Sequence, residues 1–105
     1  MIKLKDDEVR PGNGFGLLLG IIIVERVFAA FGIYECVITS LNDSKHSKTS
    51  LHYADNAADI RIWNIPSFVD KEKLMAALRD ALNVHYDVIL FDDHIHLEFQ
   101  PRGGL

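Results

Sequence analysis

The metal-ligating and titratable side chains of this 105-residue chain gather in two places. The first is Ser50-Leu51-His52-Tyr53-Ala54-Asp55-Asn56-Ala57-Ala58-Asp59, the second Asp92-Asp93-His94-Ile95-His96-Leu97-Glu98. In the second, His94, His96 and Glu98 alternate, so on a strand their side chains leave one face. Such a face is either wetted by solvent, with Ile95, Leu97 and Phe99 turned to the core, or it holds a metal. An H-x-H pair alone is a weak metal signal, and His46 and His85 read as ordinary loop and turn residues. Taken together, the two segments say more. A catalytic zinc site takes three protein ligands from His, Asp or Glu and leaves a fourth position for water. His52 and Asp59 can supply two ligands and a histidine of the second segment the third. A carboxylate outside the coordination shell would then act as general base toward the water, with Asp92, Asp93 and Glu98 as candidates. Spacing does not choose among them.

The elements that must position these residues are legible in part. Residues 1–14 are polar and end in the turn cluster Pro11-Gly12-Asn13-Gly14. A helix is predicted over 15–31, because Leu17, Ile21, Val24, Phe28 and Phe31 recur at spacings of three and four. Leu18 and Ile22 are expected to widen its buried face. Gly20 in mid-helix costs about 1 kcal/mol against alanine, which implies close packing there. Gly32 stands where a helix stop is expected. Strands are predicted over 33–39 and 60–63, separated by a polar loop that starts at 40. A second helix is predicted over 70–82, with Asp70 as N-cap and Leu74, Ala77, Leu78, Ala81 and Leu82 as its apolar face. Strands over 86–91 and 94–99 follow, joined at Asp92-Asp93 in a tight turn. This order predicts one α+β domain over 1–105, a small, mainly antiparallel sheet with helices packed on it and a short tail at 100–105.

Composition excludes several classes. Hydrophobic residues make up 49% and charged residues 25%, as in a globular domain rather than a disordered or fibrous one. One cysteine, Cys36, excludes an intrachain disulfide. The net charge is −4 with no Lys/Arg cluster beyond Lys45-His46-Ser47-Lys48, which argues against nucleic acid as partner. The apolar run at 15–24 is shorter than the roughly 20 residues of a membrane span. It is preceded by Asp6, Asp7 and Glu8, unlike the positive start of a signal peptide. The expectation is a chain made in the cytoplasm, with no membrane span, that would reach an external substrate by release or assisted export.

Ser50-x-His52-x-x-Asp55-x-Ala57-x-Asp59 resembles the S-x-H-x-x-G-x-A-x-D motif of the zinc D-Ala-D-Ala peptidases, and Asp93-His94-Ile95-His96 resembles the acid-x-x-His motif of the same superfamily. That superfamily includes D,D-carboxypeptidases, D-Ala-D-Ala dipeptidases and phage L-alanyl-D-glutamate endolysins, and shares its fold with the signalling domain of hedgehog proteins. The resemblance covers roughly residues 17–99. It implies a hedgehog/DD-peptidase-like fold, His52, Asp59 and His96 as zinc ligands, and Asp93 as catalytic base. Ser50 would help to hold the site. A basic residue upstream commonly stabilises the oxyanion in this family; Lys45, His46 and Lys48 lie in the corresponding loop. Arg61 follows Asp59 on its strand, either in a substrate-binding position or as a sheet-flanking residue. The motif glycine is Asp55 here; aspartate tolerates a left-handed backbone better than most residues, and it adds negative charge. The function implied is hydrolysis of a peptide bond in peptidoglycan peptides, of carboxypeptidase or endolysin type and in keeping with a phage or prophage source. The alternative is an inactive zinc-bearing binding or assembly module of the same fold, and after it a metal-free structural domain.

Overall fold

The computed structural model of the chain describes residues 1–5, 15–42 and 57–100. Five strands and two helices follow one another as β1 (Ile2–Leu4), α1 (Phe15–Ala30), β2 (Cys36–Asn42), β3 (Ala57–Arg61), α2 (Lys71–Leu82), β4 (Tyr86–Leu90) and β5 (His94–Phe99). The strands form one open sheet in the order β1-β2-β3-β5-β4, antiparallel except where β1 runs parallel to β2. The α+β class and the mainly antiparallel sheet are as the sequence predicts.

Alternation along the strands sorts the side chains between two faces. Cys36, Ile38, Ala58, Ile60, Ile95, Leu97 and Val88 are buried in one cluster with Leu17, Ile21, Val24 and Phe28 of α1 and Leu74, Met75, Leu78 and Leu82 of α2. Both helices therefore cover the same face, and the opposite face is left to the polar residues of β3 and β5. Asp70 caps α2, accepting hydrogen bonds from the backbone N–H groups of Glu72 and Lys73. The link from β3 to α2 is pinned by buried Ile62, Ile65 and Val69 and by Asn64 Nδ2, which donates to the Glu35 carbonyl at 2.9 Å.

Four expectations change. The strand predicted over 33–39 begins at Cys36, because Ile33 and Gly32 are used to close α1. Gly32, at φ +80°, and Ile33 donate to the carbonyls of Ala29 and Phe28 in a Schellman motif. The strand predicted over 60–63 lies at Ala57–Arg61, with Ile62 and Trp63 in the turn that follows. Leu18 and Ile22 do not widen the buried face of α1; they are 46% and 38% exposed, since one flat sheet face can cover only one stripe of a helix. The N-terminal segment contains β1, three residues whose order comes from the ladder to β2 rather than from any local periodicity.

Gly20 packs as closely as predicted: a Cβ there would stand 2.5 Å from the Tyr86 ring. The ring is held in place by its hydroxyl, which donates to the Gly16 carbonyl at 2.7 Å. Helix propensity favours Gly20→Ala by about 1 kcal/mol, but overpacking costs about 1–3 kcal/mol. The variant is expected to unfold at a lower temperature than the parent. A rise in Tm would mean that Tyr86 moves aside at no cost.

Candidate functional site

β3 and β5 pair antiparallel with Asp59 opposite His96 and Arg61 opposite His94. Directly opposed residues share a face, so four of the chemically active side chains stand together on the side of the sheet away from the helices. β4 adds Ile89 beside His96 and Asp87 beside Glu98. On the other flank β2 carries a bulge between Ile38 and Ser40 that leaves Thr39 as the extra residue. Its hydroxyl donates to the Asp59 carbonyl at 3.3 Å, fixing the backbone that carries the carboxylate.

His96 is held at both ring nitrogens. Nδ1 lies 3.0 Å from Asp59 Oδ1 and Nε2 lies 3.1 Å from Glu98 Oε1. Both partners are acceptors only, so the metal-free arrangement is satisfied when both nitrogens carry hydrogen, as imidazolium. Partial burial works against that charge, and the two carboxylates outweigh it, raising the pKa of His96 above its ordinary 6.5. Glu98 also accepts from Gln100 Nε2 at 2.6 Å. His94 turns Nδ1 to Asp93 Oδ1 at 2.6 Å, and its Nε2 stands 3.6 Å from the same Asp59 oxygen. Phe91 stacks on His94 at 4.9 Å and meets His96 edge-on at 6.4 Å between centroids. Asp93 is 87% exposed, and its hydrogen bond with His94 holds its carboxyl below the usual value. A cleft of about 440 Å³ opens here, lined by Lys5, Thr39, Asp59, Arg61, Trp63, Asp93 and His94.

Of the residues expected from sequence, Asp59, His96 and Arg61 thus stand on one face, and Asp93, in the turn between β4 and β5, lines the cleft beside them. His52, Ser50, Lys45 and His46 lie outside the described residues. Among the described residues no group of three or more His, Cys, Asp or Glu is arranged to hold a metal; two of the three expected zinc ligands are among them. Those two fit zinc. Tetrahedral ligands at roughly 2.0–2.1 Å from the metal stand about 3.3 Å apart, close to the 3.0 Å between Asp59 Oδ1 and His96 Nδ1. A metal-bound histidine usually gives its other N–H to a carboxylate, and Glu98 stands at that nitrogen. Sequence reasoning treats Glu98 as a rival base; in the structure its carboxylate contacts His96 Nε2 at 3.1 Å. Lys5 and Trp63 escape notice in the sequence because they reach the cleft only through the β1–β2 pairing and the turn after β3. Cys36 is no alternative nucleophile: burial, reinforced by Glu25 and opposed by the N-terminal ammonium, pushes its thiol up to about 12.

Compared with family models, curated proteins and solved structures, the chain has no significant match.

The raised pKa of His96 sets a sign for stability. The folded value lies above the unfolded one, so the stabilisation is complete below about pH 6.5 and is lost as pH rises through the folded value. The Tm of the metal-free protein is expected to fall across the neutral range for this reason, and to fall less in Glu98→Gln. A His96 ring resonance titrating at or below its ordinary value would contradict the double hydrogen bond.

Proposed function

We propose that the chain is a zinc-dependent peptidase acting on bacterial cell-wall peptides, with a hedgehog/DD-peptidase-like fold. The observation that carries this reading is the Asp59–His96 pair, 3.0 Å apart, with Glu98 on the outer nitrogen of His96. The order of elements agrees with the family resemblance: helix, strand, first motif ending in a strand, helix, then a hairpin bearing the second motif. Asp59 Oδ1 and His96 Nδ1 would hold the metal together with His52. Bound zinc supplies Lewis acidity, polarising the scissile carbonyl and lowering the pKa of water toward about 7. Glu98 fixes the ring of His96 and its tautomer. Asp93, at the rim of the cleft, would take a proton from the attacking water at a carboxylate oxygen and pass it to the leaving amine nitrogen. His94 would steady Asp93 through the hydrogen bond between them.

One observation favours the second reading, an inactive zinc-bearing binding or assembly module. Asp93 is engaged by His94 and its pKa is lowered, which makes it a weaker base than one poised near neutrality.

Metal content and rate separate these readings. His96→Ala is expected to lose most of its zinc by elemental analysis and His94→Ala to keep it; equal loss in both, or none in either, would overturn the ligand assignment. Ligand atoms must be deprotonated to bind metal, so zinc is expected to leave as pH falls through the histidine range.

Asp93→Asn is expected to keep its zinc and lose about 10²- to 10⁴-fold in rate on muropeptides, with Asp92→Asn losing much less. A fully zinc-loaded parent that releases no product from any muropeptide would leave the binding module as the function.

A further inference from the structure

Arg61 and Lys5 are the cations of the cleft, and neither has a carboxylate partner among the described residues. The two carboxylates that line the cleft are engaged by imidazoles, Asp59 by His96 and Asp93 by His94. Arg61 instead lies with its guanidinium carbon 4.2 Å from the centroid of the Trp63 ring. Its Nε is buried and, among the described residues, has no hydrogen-bond partner. With one face under Trp63 and Nε packed away, the hydrogens left for a ligand are those on Nη1 and Nη2. Trp63 also keeps water from one face of the cation, which strengthens any ion pair formed there. Lys5 brings a second positive charge to the same cleft. Its backbone N–H donates to the Ile38 carbonyl at 2.9 Å, continuing the β1–β2 ladder to the cleft wall. Arg61 faces His94 across the ladder and stands two residues from Asp59 on its own strand, so an anion held here lies beside the proposed scissile position.

We propose that Arg61, supported by Trp63 and Lys5, binds a carboxylate of the peptide substrate, in the first place its free C-terminal carboxylate. The fork of a guanidinium matches a carboxylate in two parallel hydrogen bonds, which a lysine ammonium does not reproduce. This inference rests on the peptidase reading for the identity of the ligand, and it makes the protein a carboxypeptidase rather than an enzyme that cuts within a chain.

Trp63 is the single tryptophan of the chain, so its fluorescence reports occupancy of the cleft without any need for turnover. The full chain, zinc-loaded, is titrated with a cell-wall pentapeptide in three forms: the free acid, the C-terminal amide, and the peptide with its internal free carboxylates amidated. The parent is expected to bind the free acid about tenfold or more tightly than the C-terminal amide. Arg61→Gln is expected to abolish that ratio and Arg61→Lys to restore only part of it. The ratio compares two ligands on one protein, so it is insensitive to a change in Trp63 emission or in the folded fraction caused by the substitution. If the preference follows the internal carboxylates instead, the anion site stands and its ligand is an internal acid. Equal binding of all three forms by the parent, or a ratio that survives in Arg61→Gln, overturns the proposal. Hydrolysis of acid and amide at equal rates would remove the carboxylate site and leave the peptidase standing. Preferential binding of the acid with no hydrolysis would do the reverse.

Discussion

The pairing of β3 with β5 sets everything else in register. Ile60 opposite Ile95 and Ala58 opposite Leu97 close the core under the helices, while the alternate pairs, Asp59 with His96 and Arg61 with His94, stand on the other face. Because the side-chain period of a strand is two, a slip of one residue would carry every member of one set to the other side. It would drive His94, His96 and Glu98 into the helix-covered core, where an ion costs several kcal/mol to bury, and expose Ile95 and Leu97. The hydrophobic core therefore aims the polar side chains. The geometry of the candidate site follows from where apolar residues must go.

On the polar face, two imidazoles meet three carboxylates. His96 lies between Asp59 and Glu98, and His94 lies against Asp93. The atoms that share a proton between Asp59 and His96 are those that would share a metal on the proposed reading, so proton and zinc would compete for one pair of ligand atoms. Glu98 serves both states. It accepts the second hydrogen of the imidazolium, and on the proposed reading it would orient the neutral ring were Nδ1 given to a metal. Arg61 stands outside this pairing, and among the described residues its buried Nε has no hydrogen-bond partner. A buried, unsatisfied donor costs about 1–3 kcal/mol, and with Nε packed away the guanidinium meets the cleft through Nη1 and Nη2.

The helices contribute by closeness. Tyr86 fits over Gly20 and hydrogen-bonds to the Gly16 carbonyl, while Phe99 lies against Gly16. These contacts tie α1 to the outer hairpin whose turn holds Asp93. Among the described residues no helix is long and apolar enough to cross a membrane; α1 instead spends one stripe on the sheet and leaves Leu18, Leu19 and Ile22 exposed.

Several features follow from the sequence alone, because their causes are local. The stripe of α1 and its stop at Gly32, the Asp70 cap, the Asp92-Asp93 turn and the alternation of β5 each depend on neighbours a few residues away. So does the grouping of His94, His96 and Glu98 on one face. What only the tertiary structure decides is non-local. β1 is too short to show a period, and its order comes from β2, more than thirty positions along the chain. The ends of β2 and β3 shift by up to three residues because Gly32 and Ile33 serve the helix cap and Ile62 serves the core. The role of Glu98 depends on which nitrogen of His96 it meets, and the convergence of Lys5, Arg61 and Trp63 on one cleft depends on strand order. Side chains distant in sequence acquire a shared chemistry only when the register of the sheet brings them together.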